Sequence, residues 1–301
     1  MLKYRQIIRR YQLNKAEISD AGFTAVRRAP KRLVANIQSI RKSVGKTRLA
    51  LTGPKPLGYI SVEIGGEEGV IDDFIEKDLE SNENIQIARI RMATPVLPDP
   101  NSYGNTKDGK RDYDAAVGEA VQAVAGPAMD AFYKAYYASL ANMRTTVVDT
   151  GTDVYLLSRL ASFGRIERIP QLAYGQIKKE FAKFIDDAYD APGSCLWLHH
   201  MKDRGETVTD EKGQKKWQTT GIYEMDGCSI ITDKVQAVIE MWRDDLKEPD
   251  PETGRMVTFN CQIVDSRHSA EAMGTILKND AISIPEIGTL IMGNSKKADW
   301  L

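Results

Sequence analysis

The tripeptide Gly45-Lys46-Thr47 forms the end of a motif that binds phosphate. The full motif is G-x-x-x-x-G-K-[ST]: backbone N–H groups surround phosphate oxygens, the lysine reaches the terminal phosphates, and the hydroxyl ligates Mg²⁺. Ile40 occupies the position of the motif's first glycine. In the full motif, that glycine mainly eases the turn out of the preceding strand. The tripeptide follows a predicted strand at 32–38 and opens a helix, as the motif requires. The predicted nucleotide contacts are Ser43, Val44, Gly45, Lys46 and Thr47.

A carboxylate that could complete a metal site ends another predicted strand. The residues T-T-V-V-D lead to Asp149, within the predicted strand 144–150. Beside a phosphate-binding loop, such an aspartate holds Mg²⁺ directly or through water. Alone, the pattern is equally an ordinary buried strand that ends in a helix-capping Asp. Because both motifs occur in the correct order, about 100 residues apart, we predict that Thr47 and Asp149 hold the metal and that the cofactors are ATP and Mg²⁺.

The composition is that of a soluble globular protein. The chain has 301 residues, of which 42% are hydrophobic and 28% are charged, and its net charge is −1. A core of this size needs no disulfides. The three cysteines are scattered and there are three histidines, so we expect no zinc site. Since no apolar run reaches the roughly 18 residues of a membrane span, we expect a cytoplasmic protein with no membrane partner.

Positive charge is concentrated at the amino terminus. In the first 32 positions the acidic side chains are Glu17 and Asp20, among a much larger number of lysines and arginines. Such a segment suits an anionic partner or an acidic neighbouring subunit. A solvated amphipathic helix is an equally good interpretation. We therefore divide the chain into a basic arm, 1–31, and a core domain, 32–301.

Strands and helices alternate along the core. The hydrophobic patterns predict strands at 32–38, 57–63, 85–92, 144–150 and 194–201, and helices at 69–81, 113–143, 153–163 and 174–190. A long exposed loop is predicted at 94–112, a polar hairpin at 203–223, and strand-like segments near 236–243, 256–264 and 287–292.

This alternation predicts an α/β fold with a mainly parallel central sheet flanked by helices, to which antiparallel strands are added at the C-terminal side. In such folds, ligands bind at the carboxyl ends of the strands. The positions that this rule selects are those just after Gln38, Glu63, Asp149 and the pair His199-His200.

Two of these positions carry residue types found in a known ATPase family. The segment Y-I-S-V-E ends at Glu63, and L-W-L-H-H-M-K places His200 at the end of another strand. The order of the loop, Glu63, Asp149 and His200 resembles that of the RecA-type ATPases. The resemblance implies that Glu63 polarises the attacking water and that His200 takes the place of a glutamine that senses the γ-phosphate. The implied catalytic residues are Lys46, Glu63 and His200.

The chain is similar, more specifically, to the phage-encoded Sak-type RecA-like ATPases linked to single-strand annealing, often labelled AAA family ATPases. The similar segments are G-K-T-R-L-A-L-T-G-P-x-P-L-G-Y-I, E-x-G-V-I-D, V-V-D-T-G-T-D and L-H-H-M-K-D, within roughly residues 33 to 292. The resemblance implies a DNA-dependent ATPase of phage recombination or replication in the host cytoplasm. Its partners would be single-stranded DNA, a single-strand-binding or annealing protein, and further copies of the chain in a ring or filament. In such an assembly, Arg267 is a candidate to complete a neighbouring subunit's site.

Two loops correspond by position to the DNA-contacting loops of RecA-type proteins, at 162–174 and 202–223. Both combine basic and aromatic residues, a mixture that suits single strands because cations follow phosphates while rings stack on bases. For the second loop a solvated hairpin is the alternative, since acidic residues offset its charge. The predicted DNA contacts are Arg165, Arg168, Lys202, Lys212, Lys215, Lys216 and Trp217.

The sequence is also compatible with a second function. The chain could be a nucleotide-binding scaffold with a degenerate loop, acting through protein partners without significant hydrolysis. Ile40 favours this alternative. The joint presence of Lys46, Thr47, Asp149 and Glu63 favours the enzyme, because an inactive site has no chemical need for all four.

Overall fold

The computed structural model describes residues 31–64, 84–166, 169, 171–209, 215–250, 254–293 and 296–300. The chain divides into Met1–Pro30, which lies outside these residues, and Lys31–Leu301, whose fold follows. The predicted helix 69–81 and, apart from Lys31, the predicted basic arm also lie outside the described residues. Both stay predictions.

A nine-stranded sheet runs through the described part of Lys31–Leu301. Its strands are β1 (Val34–Ser39), β2 (Leu57–Glu63), β3 (Ile85–Arg91), β4 (Thr145–Asp149), β5 (Ser194–Thr209), β6 (Lys215–Asp226), β7 (Ala237–Asp245), β8 (Val257–Ser266) and β9 (Ile276–Lys278). The order is β3-β2-β4-β5-β1-β7-β8-β9, and β6 pairs with β5. All pairings from β3 to β7 are parallel, whereas β6, β8 and β9 pair in antiparallel fashion. The predicted α/β fold, with antiparallel strands at the C-terminal side, is confirmed.

Helices cover both faces of this sheet. They are α1 (Lys46–Leu51), α2 (Lys107–Asn142), α3 (Gly151–Phe163), α4 (Gln171–Asp190), α5 (Ile230–Lys234) and α6 (Ile284–Met292), with 3₁₀ turns at Pro100–Tyr103, Asn279–Ala281 and Lys297–Trp300. One core packs α2, α3 and α4 against the sheet, around Phe132, Phe184 and Trp197. The other packs α1 and α6 against the opposite face, around Leu49 and Ile287. Among the helices described here, none combines the length and the apolar character needed to cross a membrane.

Strand alternation assigns the residues of the ligand edge to one face. Successive strand side chains point to opposite faces, so Ile60 and Val148 belong to the α2–α4 core while Tyr59 and Val147 belong to the α1–α6 core. By the same alternation, Asp149 follows Val147 onto the face that carries α1. The loop before α1 and the candidate carboxylates therefore share one side of the sheet.

The prediction of a long loop at 94–112 is wrong from residue 107 onward, because α2 begins there. Thr106 caps this helix: its hydroxyl accepts a hydrogen bond from the N–H of Gly109 at 3.0 Å, and Asp108 lies in the first turn. A Cβ at Gly109 would lie 1.9 Å from the carbonyl oxygen of Tyr103, so the glycine permits a close backbone approach. The loop was predicted from the content of Pro, Gly and Asn, but the last Gly and Asn residues of this segment lie here around a helix cap.

The prediction of a strand-like segment near 287–292 is also wrong, because these residues lie in α6. Ser283 caps the helix by accepting a hydrogen bond from the N–H of Glu286 at 3.3 Å, as in the S-x-x-E capping pattern. The buried residues Ile284, Ile287 and Ile291 recur at helical spacing. A short apolar run does not distinguish a strand from a buried helix. The S-x-x-E cap before this run is the sequence signal that indicates a helix.

Candidate functional site

The loop between β1 and α1 turns through two residues with positive φ. These are Ser43 at 58° and Gly45 at 91°, a region of backbone conformation that favours glycine. Ile40, where the motif has its first glycine, is not one of the positive-φ residues, and its side chain is 44% exposed. The backbone at position 40 therefore does not require glycine, and Ile40 is compatible with the turn.

Lys46 begins α1 and is buried, with 7% of its surface exposed. Its Nζ donates a hydrogen bond to Ser39 Oγ, at the end of β1, at 2.6 Å. Burial lowers the pKa of Lys46 to about 8; Asp149 opposes this shift and Lys42 adds to it. The ammonium group is thus held in the loop with little solvent around it, and an anionic phosphate would replace the lost hydration.

Thr47 and Asp149, which are 102 positions apart, are in direct contact. The Thr47 hydroxyl donates to Asp149 Oδ2 at 2.8 Å. The hydroxyl of Tyr59, from the neighbouring strand β2, donates to the same carboxylate oxygen. Tyr59 is almost fully buried, and burial, followed by the charge of Asp149, raises its pKa. No motif singled out Tyr59; the only signal in the sequence was its place in β2 four residues before Glu63, on the same face of the strand.

This donor set fits Mg²⁺. Within the part of the chain that the structure describes, no three His, Cys, Asp or Glu side chains form a cluster that could hold a metal. Mg²⁺ does not need such a cluster, because proteins commonly hold it through one or two side-chain oxygens together with substrate phosphates and water. The Thr47 hydroxyl and the Asp149 carboxylate, beside a buried lysine, supply that kind of site.

Glu63 ends β2 at the same edge of the sheet. In the register of β2 and β4, Ser61 lies opposite Asp149, and Glu63 lies two residues further along. The Glu63 carboxylate accepts hydrogen bonds from Arg91 Nε at 3.0 Å and from Ser61 Oγ at 3.2 Å. Its side chain is 11% exposed, against 58% for Arg91. Arg91 and Ser61, which the sequence did not single out, therefore hold the candidate water-activating group.

The two histidines of β5 face opposite sides of the sheet, as alternation predicted. His200 lies opposite Ser39 in the parallel register, and burial, followed by the charge of Lys46, lowers its pKa. His199 is fully buried on the other face, where its Nδ1 lies 2.6 Å from Asn36 Oδ1. Burial lowers the pKa of His199 to about 3. His200 is therefore the histidine on the side of the loop between β1 and α1.

The predicted DNA contacts are only partly described. Arg165 is exposed beyond the end of α3, and Lys216 is exposed in β6. Lys202 forms an ion pair with Asp226 at 3.2 Å, so part of its charge is already compensated. Arg168 and Lys212 lie outside the described residues, and for two further residues the structure places the backbone only: Lys215 and Trp217, both in β6. Contact with DNA stays a prediction.

Arg267 lies at the opposite edge of the sheet from the loop. Its N–H donates to the carbonyl of Gln236 at 2.9 Å, directly before β7. Since Ala237 pairs with Ala35 near the start of β1, this is the amino-terminal edge. Arg267 is therefore remote from the site of its own chain, and its role toward a neighbouring subunit stays a prediction.

No family model and no curated protein matches the chain. Among solved structures, a KaiC-like protein from the hyperthermophilic archaeon Pyrococcus horikoshii is similar: it is 14% identical with a TM-score of 0.34, over 84% of this chain and 94% of that chain. A likeness at this level says nothing about activity.

Proposed function

We propose that the chain is a RecA-like P-loop ATPase. The observation that supports this most is the hydrogen bond between Thr47 and Asp149 beside a buried Lys46. These residues come from two distant motifs, and each has the type that its role in nucleotide binding requires. Glu63 and His200 lie at the same edge and on the same face of the sheet. A scaffold that binds nucleotide without hydrolysis would need Lys46, Thr47 and Asp149, but it would have no chemical need for Glu63 as well.

Each side chain has a role that follows from its surroundings. Lys46, with a pKa of about 8, is charged at pH 7 and would bind the terminal phosphates of ATP. Thr47 and Asp149 would hold Mg²⁺, which neutralises charge on the phosphates. Glu63 would orient a water molecule and accept its proton. Burial and the charge of Lys46 lower the pKa of His200, and its side chain would donate a hydrogen bond to the γ-phosphate.

The hairpin of β5 and β6 is tied to this edge through Thr152. The Thr152 hydroxyl accepts a hydrogen bond from the N–H of His200 at 3.1 Å and donates one to the carbonyl of Asp226 at 2.6 Å. A shift at His200 would therefore be transmitted to the base of the hairpin. This link supports the part of the proposal in which the ATPase is DNA-dependent and binds single strands through the hairpin. A role as a phage-type recombination protein in a ring or filament is proposed from the sequence resemblance alone.

The test is ATP hydrolysis by the full chain with Mg²⁺, with and without single-stranded DNA. We expect measurable turnover that requires Mg²⁺ and rises when single strands are added. Binding of ATP without turnover under both conditions would contradict the proposal and favour the scaffold alternative. Turnover that DNA does not change would leave an ATPase but would reject the DNA-dependent part.

Replacing Lys212, Lys215 and Lys216 together by Ala should weaken single-strand binding and reduce its salt dependence. Each phosphate contact that is lost should lower the slope of log K against log salt by about 0.7. Trp217→Ala should instead cost roughly 1–3 kcal/mol with little change in slope, because stacking releases few counterions. Fluorescence anisotropy with a labelled oligonucleotide over a salt series separates the two effects.

A control with the same loss of charge is available on α2. Lys107, Lys110 and Lys134 are exposed there, and their joint replacement by Ala should leave the slope nearly unchanged. If the hairpin variant binds like the wild type at every salt concentration, the hairpin is not the DNA-binding loop. The basic arm would then be the segment to test.

A further inference from the structure

A cavity of about 490 Å³ opens between α2, α3 and α4. It lies in the helical layer over the α2–α4 core, on the other side of the sheet from α1 and the phosphate-binding loop. Tyr133, Tyr137 and Phe184 contribute aromatic walls, and Gln176, Glu180 and Lys183 contribute polar groups. Its volume is in the range of sites for small molecules. Nothing in the proposed ATPase uses this cavity.

Glu180 is the acidic residue that lines the cavity. Its carboxylate accepts a hydrogen bond from Ser158 Oγ at 2.9 Å, and within the described chain no basic side chain forms an ion pair with it. Burial alone raises the pKa of Glu180 to about 7. A half-buried carboxylate without a cation is costly, and such a group in a cleft is a candidate for a binding role.

The charge of Lys183, the basic residue that lines the cavity, is directed elsewhere. Its Nζ donates to Asp187 and lies over the ring of Tyr137, 5.5 Å from the ring centre. The aromatic wall therefore already receives one cation in this structure, as expected of rings with electron-rich faces. A second cation that reached Glu180 would meet an uncompensated carboxylate rather than an existing ion pair.

We propose that this cavity binds a small organic cation with an aromatic or alkyl body. The ammonium group pairs with the Glu180 carboxylate, and the body packs against Tyr133, Tyr137 and Phe184. A neutral ligand would leave the carboxylate without a partner, and an anion would be repelled by it. This proposal does not rest on the ATPase, since the cavity and the phosphate-binding loop lie on opposite faces of the sheet.

Binding should depend on pH because only the ionised carboxylate attracts a cation. The titratable groups around Glu180 include Tyr137 from α2 and Cys228 after β6, whose pKa values are raised by burial, and Lys183 from α4, whose pKa is raised by its hydrogen bond to Asp187. These groups change little between pH 6 and 8. With a Glu180 pKa of about 7, its ionised fraction falls about tenfold from pH 8 to pH 6.

The experiment uses the full chain with phenethylamine as the probe and 2-phenylethanol as its neutral counterpart of the same shape. At pH 8, calorimetry or protein-detected NMR should show that phenethylamine binds at least tenfold more tightly than 2-phenylethanol. This preference should shrink toward pH 6, where the amine is still protonated. At pH 7, calorimetry in two buffers of different ionisation enthalpy should also show release of about half a proton per bound cation, because about half of the Glu180 carboxyls are protonated at that pH.

The matched variants are Glu180→Gln and, as control, Glu119→Gln at an exposed position of α2. The first should abolish the preference for the amine, whereas the second should preserve it. Equal affinity for both probes, the absence of pH dependence, or no binding at 10 mM phenethylamine would each overturn the proposal. The proton-release measurement uses the wild-type chain, so the test holds even if Glu180→Gln does not fold.

Discussion

Lys46→Met should strongly weaken ATP binding while leaving the fold intact. The substitution keeps the length of the side chain and removes the ammonium group that lies buried beside Ser39. Truncating one partner of a buried charge pair costs about 2–5 kcal/mol, so the Kd for ATP should rise roughly 30- to 5,000-fold. Titration with a fluorescent ATP analogue in the presence of Mg²⁺ measures this change.

The same substitution should stabilise the protein in the absence of nucleotide. The pKa of Lys46 is lowered from 10.5 to about 8, so the folded state disfavours the charged form by about 3 kcal/mol. This cost is fully present below pH 8 and disappears as the pH rises toward 10.5. Lys46→Met should therefore raise the free energy of unfolding at pH 7, by up to that amount, in urea denaturation.

Lys134→Met is the control for both measurements. Lys134 is exposed on α2, so its replacement removes the same charge without touching the loop. It should leave ATP affinity unchanged and alter stability by less than about 0.5 kcal/mol. If Lys46→Met binds and hydrolyses ATP like the wild type, the loop after β1 is not the nucleotide site.

The parallel part of the fold could be predicted from sequence because its patterns are local. Buried strands such as β1 and β4 are short apolar runs, and each is followed by a turn and a helix. Once the strands are assigned, the rule that ligands bind at their carboxyl ends brings Asp149 and the loop together without any knowledge of distances. The hydrogen bond between Thr47 and Asp149 agrees with that rule, since Asp149 ends β4 and Thr47 lies in the first turn of α1, directly after the loop that follows β1.

Tyr59 and Arg91 could not be predicted in the same way. Their roles depend on which strands are neighbours in the sheet, and no local sequence pattern predicts strand order. Tyr59 reaches Asp149 because β2 lies beside β4, and Arg91 reaches Glu63 because β3 lies beside β2. Both lie in predicted strands, but no motif assigned a role to either side chain. Their side chains nevertheless fix the two carboxylates on which the proposed chemistry depends.

The cavity beside Glu180 was missed for a related reason. Helix α4 was predicted, and Glu180 reads there as an ordinary polar residue. Its burial arises from packing against α2 and α3, which are separate in sequence. A sequence pattern shows the face of a helix that is apolar, but it does not show a polar residue that neighbouring helices enclose.

Glu63→Gln should retain ATP binding and slow turnover by a factor of about 100 or more, the usual range for loss of a general base. The amide keeps an oxygen that can accept the hydrogen bond from Ser61 Oγ, but it cannot take a proton from water. The ion pair with Arg91 is also lost. Since Arg91 is 58% exposed, that pair contributes little to stability, and the melting temperature should change little. Single-turnover and steady-state measurements at saturating ATP give the rate.

Glu286→Gln separates loss of the base from loss of an ion pair. Glu286 lies in α6 and pairs with Lys297 at 3.8 Å, on an element that contributes nothing to the proposed site. The same chemical change there should leave kcat unaltered. Weakened ATP binding with an unchanged kcat in Glu63→Gln would show that Glu63 is structural. Hydrolysis would then need another base, and the face of the sheet that carries Lys46 and Asp149 would bind nucleotide without the water-activating carboxylate proposed here.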